Sequence, residues 1–398
     1  MSAHCLPEQT QGWEVRPLGE VTKISSGVTL GRDLSTRATR SIAYLRVANV
    51  KDGWLDLSDV KRTPATEQEI SDNSLAPGDI LLTEGGDPDK LGRGTFWRGE
   101  IQECIHQNHI FRVRADSHRF DAEFLAFQFG SAYGKAFFLR HAKQTTGIAT
   151  INKTVLSRFP LLIPPLAEQH RIAVRLREEL SAVAQARAAL EAQLAASEAL
   201  PDACVREDAF DAETTHQPIR EVMREVTKGI GEAWRNQPVL GATRAGLAPA
   251  KEGVGKHPGR YKPVTPGTVF YNPMRILLGS IALVDEGDTP GITSPDYVVM
   301  RGREGVLHPV WFYQWFRSSA GAGFIKSLTR GAVRERLLFN RVAPGLVPVP
   351  SWPRQLATVE RIRAATKLRT ALAAKLAEVE KLPAALLRAA FSNAEKQG

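Results

Sequence analysis

Cysteine is scarce: Cys5, Cys104 and Cys204 are the three in 398 residues, about a hundred positions apart. That spacing fits no metal-ligand pattern and no disulfide framework, and it points to a reducing compartment. No run approaches the roughly 20 apolar residues of a membrane helix, and the opening MSAHCLPEQTQGW lacks the apolar core of a signal peptide. A cytoplasmic protein with no membrane partner is expected. Catalytic signatures are missing as well. Gly255-Lys256 is followed by His257 and lacks the upstream glycine of a phosphate-binding loop. Asn272-Pro273-Met274-Arg275 is superficially similar to the Asn-Pro-Pro-aromatic motif of amino-methyltransferases, without its second proline, its aromatic or a Gly-rich cofactor loop. Pro88-Asp89 and Pro295-Asp296 are not followed by the spaced acid and lysine of a nuclease. Cys104, His106 and His109 would need a further ligand pair to hold zinc, and packed or hydrogen-bonded histidines are the simpler reading. The chain reads as non-catalytic, with no cofactor or metal of its own expected.

The residues that are present give an ordinary globular balance, 43% hydrophobic and 24% charged, long enough for two or three domains. The formal net charge of +9 suits a polyanionic partner, although many basic proteins bind no nucleic acid. One stretch organises the whole. After the apolar run Phe159 to Ile163, Pro164-Pro165 marks a helix entry, and from Glu168 the composition turns to Ala, Leu, Glu, Arg and Gln with no Gly or Pro before Pro201. Alternate steps of three and four from Ala173 give Leu176, Leu180, Val183, Arg187, Leu190, Leu194 and Ser197, a heptad seam broken at Arg187 and Ser197. Residues 347 to 391 repeat this order: apolar run, prolines, Gln, long helix, Leu-Pro, terminal Phe. Pro164 to Gln169 and Pro350 to Gln355 have one separation, Leu200-Pro201 and Leu382-Pro383 are expected to end the two helices, and the second seam reads Ile362, Ala365, Arg369, Leu372, Leu376 and Val379. Two such helices most simply pack antiparallel as a coiled coil; the alternative is two unrelated surface helices.

The segments between are duplicated too. Pro17-Leu18-Gly19-Glu20-Val21 is echoed by Pro218-Ile219-Arg220-Glu221-Val222, and Ala76-Pro77-Gly78-Asp79-Ile80-Leu81 by Thr265-Pro266-Gly267-Thr268-Val269-Phe270. The Phe-rich helical stretch Ala122 to Leu139 is matched by HPVWFYQWFR from His308, and Thr146-Gly147 by Thr329-Arg330-Gly331. The expected fold class is mixed α/β (α+β): a tandem pseudo-symmetric repeat with globular domains at 1–160 and 204–348 and long spacer helices at 161–203 and 349–398. Two copies that keep a frame but change their loops look like reading heads for two different targets. In the first head, Arg46, Asn49 and Lys51 near a strand end, Lys90 and Arg93 in EGGDPDKLGRG, and Lys143, Gln144, Thr145 and Thr146 in KQTTGIATINK are suited to phosphates or base edges. In the second, Arg244, Lys251, Lys256, Arg260, Tyr261 and Lys262 sit among Gly and Pro with few acids, and Arg330 is their companion at the second junction. Solvated surface is the competing account for each.

The order of segment, proline-marked helix, segment, helix resembles the specificity subunit of type I restriction-modification enzymes. The matching residues are WEVRPLGEV from Trp13, LAPGDILLT from Leu75, QNHIFRVR from Gln107, TTGIATINKTVL before the spacer and IPPLAEQHRI from Ile163. The second half departs from the pattern, with Trp352-Pro353-Arg354-Gln355 where Pro-Leu-Ala-Glu-Gln is expected. The resemblance implies two target-recognition domains, each reading one half of a bipartite double-stranded DNA target, with the paired helices as a ruler. It also implies partners: two DNA methyltransferase subunits that bind S-adenosylmethionine, and restriction/translocase subunits that use ATP and Mg, a phage-defence arrangement in which this chain directs the others. The competing reading is a coiled-coil scaffold whose heads bind proteins rather than DNA.

Overall fold

The computed structural model describes residues 13–86, 91–145, 148–329 and 336–392. The chain divides into two compact units, Met1–Ala188 with Ala377–Gly398, and Ala189–Leu376. Both divisions fall inside long helices, so each unit takes a helical piece from each spacer.

In the first unit, the opening strand Glu14–Pro17 pairs antiparallel with Pro160–Ile163, closing the segment on itself before the spacer begins. A four-stranded antiparallel sheet carries the core in the order Thr22–Ser26, Ile110–Ala115, Ile80–Thr83, Gly94–Phe96. Ile80, Leu82, Phe111 and Val113 of its strands pack with Phe124, Phe129, Phe138 and Phe159. The second unit repeats the plan. Thr215–Pro218 pairs with Leu346–Val349, and the sheet order is Met223–Glu225, Val298–Gly302, Thr268–Tyr271, Ile281–Val284. Every strand of the core sheet has its counterpart, in the same order and all antiparallel, so the duplication read from short echoes is a duplication of topology. The units differ in their side sheets: a three-stranded sheet holds Lys61–Ala65, Arg40–Leu45 and Cys104–His106 in the first, and the second has a hairpin, Leu240–Thr243 with Gly246–Pro249, and an antiparallel pair, Lys262–Val264 with Gly291–Thr293.

Each unit also has a pair of short aromatic helices, Ala122–Gly130 with Ala132–His141, and Pro309–Arg317 with Ser319–Ser327. The turn between them is one device used twice. Ser131 Oγ donates to the Gln128 carbonyl (2.6 Å) and accepts from Gly134 N, while Ser318 Oγ donates to the Trp315 carbonyl (2.6 Å) and accepts from Gly321 N. A Cβ on Gly134 would lie 2.4 Å from the Phe129 carbonyl oxygen, and one on Gly321 2.2 Å from that of Trp315, so the turn requires glycine.

The first spacer helix spans Leu166–Ala209 and the second Trp352–Val379, followed by a terminal helix Leu382–Ser392. The seam residues are buried or half-buried at every position except Arg187 and Arg369. The expected stop at Leu200-Pro201 does not occur. Proline removes the amide that would meet the Ser197 carbonyl, but the next turn buries Cys204 and Val205 in the core of the second unit, and that packing carries the helix through. At Leu382-Pro383 the chain breaks between two helices, and Pro383 falls in the first turn of the terminal one, where a missing amide costs nothing.

Burial explains the shared Pro-to-Gln spacing. Gln169 Nε2 donates to the carbonyls of Pro164 (2.8 Å) and Arg119 (3.2 Å), and its Oε1 accepts from Asp121 N (3.0 Å). Gln355 repeats this on Pro350 (2.8 Å), Val306 (2.9 Å) and His308 N (2.7 Å). Asp121 and His308 are the N-cap residues of the two aromatic helices, so each spacer entry is bolted to the helix cap of its own unit.

The repeat is inexact at the spacer tails. Phe391 is 3% exposed and packs on Phe124 (ring centroids 5.5 Å apart) within the first unit, whereas Phe210 is 79% exposed. In the second unit the corresponding contact is polar: Asp208 accepts from Trp311 Nε1 (2.7 Å) and from Arg354 Nε (2.7 Å). Glu207 and Arg361 pair beside it at 3.0 Å, which sets the end of the first spacer against the start of the second, antiparallel.

Replacing either glutamine with leucine keeps the volume but strands two carbonyls and one amide away from water. With each buried orphan costing about 1 to 3 kcal/mol, Gln169→Leu and Gln355→Leu should each lower stability by several kcal/mol, well beyond a surface control such as Gln185→Leu. Chemical denaturation of the full chain checks this, and a loss no larger than the control's would remove the clamp from the account of the fold.

Candidate nucleic-acid interface

Two loops of the first unit that are far apart in sequence meet in a small sheet. Strand Lys143–Thr145 pairs with Ile148–Thr150, which in turn pairs with Gly85–Gly86 through Ala149↔Gly86 and Thr150↔Gly85. Ile151 N donates to the Glu84 carbonyl (2.9 Å) and Thr83 N to the Arg93 carbonyl (2.9 Å), so the stem of the Arg93 loop and the Lys143 hairpin form one support. Lys143 is exposed on it and Arg93 half-buried. Gln144 and Thr145 lie in the hairpin strand. Lys90, Thr146 and Arg330 lie outside the described residues.

The group at Arg46 is used differently from expectation. Asn49 is buried; its Oδ1 accepts from Arg46 N (2.9 Å) and its Nδ2 donates to the carbonyls of Asp56 (2.8 Å) and Asp59 (3.1 Å). That amide braces its own loop and has no donor left for a base. Arg46 Nη2 donates to the carbonyl and carboxylate of Asp59, and Lys51 stands 4.0 Å from Asp56. Both charges are partly neutralised inside the loop, which leaves Arg93 and Lys143 without such pairing among the described candidates of this unit.

In the second unit, Arg244 is exposed at the turn of the hairpin Leu240–Thr243 with Gly246–Pro249. Lys251, Lys256 and Arg260 are exposed along one loop, which Tyr261 holds closed by accepting from Gly255 N (2.9 Å) through its hydroxyl. The loop packs backbone to backbone on its neighbour: a Cβ on Gly229 would lie 2.4 Å from the Gly259 carbonyl oxygen. Lys262 departs from expectation. It belongs to the strand Lys262–Val264, its Nζ donates to the Tyr297 carbonyl (2.8 Å), and burial lowers its pKa. It fastens the loop base, and Tyr261 likewise spends its hydroxyl on loop shape. Arg244 and the three exposed cations of the loop remain.

Sequence reading missed the pair Glu84 and His109, 2.7 Å apart beside the Arg93 loop, and Arg317, whose guanidinium donates to the carbonyls of Ile281 (2.9 Å) and Arg244 (2.6 Å). Both depend on residues 25 or more positions apart, for which no local spacing gives a signal. His106 is buried with Nδ1 on the Ile110 carbonyl, and burial holds its pKa down at about 4, so it is a packed neutral histidine.

Residues 10–192 match the family model described as the type I restriction modification DNA specificity domain. Two curated relatives match stretches of similar length. A putative type I restriction enzyme MjaX specificity subunit of Methanocaldococcus jannaschii is 25% identical over 170 residues, 42% of this chain and 39% of the relative. The type I restriction enzyme StySPI specificity subunit of Salmonella potsdam is 31% identical over 178 residues, 44% and 37% respectively. The matched stretches thus span under half of either relative. The fold extends further: the HsdS subunit from Thermoanaerobacter tengcongensis superposes with a TM-score of 0.62 at 15% identity, covering 99% of both chains. A chain from a structure titled for complex assembly and conformational transition of the type I R-M system gives 0.65 at 15% identity, covering 98% of this chain and all of that one.

Gly85 joins the two loops of the first unit because a side chain there would crowd the pairing: its Cβ would lie 2.7 Å from Thr150 Cγ2 and 3.0 Å from the Ala149 carbonyl oxygen. Gly85→Val should therefore open the small sheet while the four-stranded core sheet stands. Hydrogen exchange should show faster exchange at the amides of 148–150 with those of 110–115 unchanged; equal protection in wild type and variant would mean the sheet does not depend on glycine.

Proposed function

We propose, for a chain whose residues 10–192 match the model of the type I restriction modification DNA specificity domain, that it is the DNA-reading subunit of such a complex. Each unit reads one half of a bipartite duplex target, and the paired spacer helices set the gap between the halves. The observation that carries this reading is a repeated sheet-and-helix frame with the same strand order in both units, from which differing exposed basic loops project. One frame with two loop sets is what two half-sites of unlike sequence call for. Arg93 and Lys143 serve the first half-site, and Arg244, Lys251, Lys256 and Arg260 the second. Phosphate contacts fix position and base-edge contacts select sequence, so these cations divide into two kinds by their effect on specificity. Methylation and cleavage belong to partner subunits, two methyltransferases using S-adenosylmethionine and restriction subunits using ATP and Mg; this chain is non-catalytic and supplies address rather than chemistry.

Binding to a cognate duplex should weaken steeply with salt, the logarithmic slope growing by about 0.9 for each phosphate neutralised. A titration at several ionic strengths, with the methyltransferase present, measures the slope, and a flat response would favour a protein-binding scaffold. Arg93→Ala with Lys143→Ala should alter one half of the methylated sequence only, and Lys256→Ala with Arg260→Ala only the other; a lost base contact costs about 1 to 3 kcal/mol at one position. A shift in both halves from one pair of changes would be incompatible with two independent heads.

The ruler has its own test. Duplicating Ala186 to Ala189 adds roughly 6 Å of helix and turns the downstream part by only about 40 degrees. At about 3.4 Å per base pair, the gap between half-sites should widen by one to two base pairs with both halves unaltered. A two-residue insertion turns the helix by about 200 degrees and should abolish recognition. Methylation mapping in cells reads out both, and an active four-residue variant with an unchanged gap would leave the helices as mere connectors.

A further inference from the structure

The second unit exposes three large apolar side chains within five residues: Met274 is 58% exposed, Leu277 51% and Leu278 70%. They stand on a short turn that is held from several sides. Asn272 Oδ1 accepts from Met274 N (3.0 Å), Arg275 N donates to the Asn272 carbonyl (3.0 Å), and Leu278 N to the Arg275 carbonyl (2.9 Å). Ile276 is buried in the core between the exposed residues, Gly279 closes the turn at a φ of 80°, and Leu337 N donates to the Pro273 carbonyl (3.0 Å). Asn272-Pro273-Met274-Arg275, which matched a catalytic motif only in part, is here the frame of a rigid knob.

Arginines stand in and beside that knob. Arg275 is exposed within it, a Cβ on Gly279 would lie 3.7 Å from Arg244 Cγ, and Arg317 reaches the Arg244 carbonyl. A hollow of about 220 Å³ between Arg244, Leu277, Gly279 and Arg317 has no carboxylate in its lining. Leucines left in water on a preorganised turn, with Arg275 within the turn and Arg244 beside it, are complementary to a partner that offers an apolar slot next to negative charge. A duplex whose base step opens has that form: apolar wedges enter between base pairs from the minor groove, and flanking cations take the phosphates. We infer that Leu277 and Leu278 form a wedge that partly unstacks one base step in the half-site of the second unit, with Arg244 and Arg275 on the adjoining phosphates. The inference rests on the proposed DNA-reading function and adds deformation of the target to it. Pyrimidine–purine steps, which open most easily, are the preferred sites of entry.

The test uses the full chain, co-expressed with its methyltransferase subunits, on a duplex carrying the methylation target mapped in cells. 2-Aminopurine, bright when unstacked, is placed in turn at each adenine-compatible position. Wild type should brighten the probe severalfold beside one step. The double variant Leu277→Ser with Leu278→Ser, which leaves buried Ile276 in place, should lose that brightening and weaken cognate binding about tenfold, the equivalent of one exposed leucine not being buried. Its salt slope should be unchanged, while Arg244→Ala should reduce the slope by about 1 and leave the brightening. Tight, salt-dependent binding with no bright position, or brightening kept in the leucine variant, overturns the wedge alone. A leucine variant that loses its methyltransferase subunit while DNA affinity holds makes the knob a protein contact and overturns it too. Failure of wild type to bind the duplex at low salt removes the DNA-reading function, and the wedge with it.

Discussion

Gln169 and Gln355 each hold two carbonyls and one amide at the point where a spacer helix enters its unit, out of reach of water. In that place a primary amide does what no apolar or charged residue does as well, since it donates twice, accepts once and brings no charge that burial would penalise. Because the partners include the N-cap residues Asp121 and His308, the direction of each spacer is fixed relative to the aromatic helix of the same unit. The strand pairs Glu14–Pro17 with Pro160–Ile163 and Thr215–Pro218 with Leu346–Val349 close each segment immediately beside the clamp. Segment ends, aromatic helices and spacer entries are thereby one solid body in each unit, and a loop mounted on that body inherits its rigidity.

Much of this frame was legible in the sequence. Heptad spacing located the seam and the arginines that stay exposed in it, because side-chain periodicity is a local property of a helix, while Ser197, read as a second break, is buried with its hydroxyl on the Leu194 carbonyl. Echoes such as Pro17 to Val21 and Pro218 to Val222 revealed the duplication, since both copies need the same turn after the same strand. The spacing from Pro to Gln signalled something shared without saying what, because two of the three groups Gln169 meets lie at Arg119 and Asp121. Proline misled at Pro201, where tertiary packing of Cys204 and Val205 overrode a local rule. The site was less legible than the fold. Asn49 and Lys262 have suitable chemistry for DNA, but their hydrogen-bond partners are Asp56, Asp59 and Tyr297, which sequence proximity does not announce. The meeting of the Arg93 and Lys143 loops is likewise a matter of pairing between strands distant in the chain.

Constant frame and differing loops have separate physical roles. The four-stranded sheets and the Ser131 and Ser318 turns recur because their backbone geometry leaves no freedom: glycine is demanded in the first turn of each second aromatic helix, and the strand order is identical. The side sheets differ in strand pattern yet still cover the core sheets, Leu81 and Ile110 packing with Ala43 and Leu45 in the first unit and Phe270 and Val299 with Leu240 and Val264 in the second, whereas the basic loops differ between the units. Charge follows the same division. Acids such as Asp79, Glu123 and Asp208 are buried against arginines of the frame, while Lys143, Lys251, Lys256 and Arg260 stand on loops.

The two spacer tails meet equivalent positions in different chemical languages: Phe391 lays its ring on Phe124, whereas Asp208 takes the indole proton of Trp311 and the guanidinium of Arg354. Exchanging them would press a carboxylate against Phe124 and leave the Trp311 N–H without its acceptor. The repeats are thus no longer interchangeable at their ends, although their frames still correspond in topology. A crossover between the two halves of the gene that swapped these tails would yield units with mismatched cores. Recombination that exchanges only loops outside the aromatic helices leaves both contacts untouched, so the architecture lets loop surfaces be shuffled while it penalises shuffling of the parts that hold them.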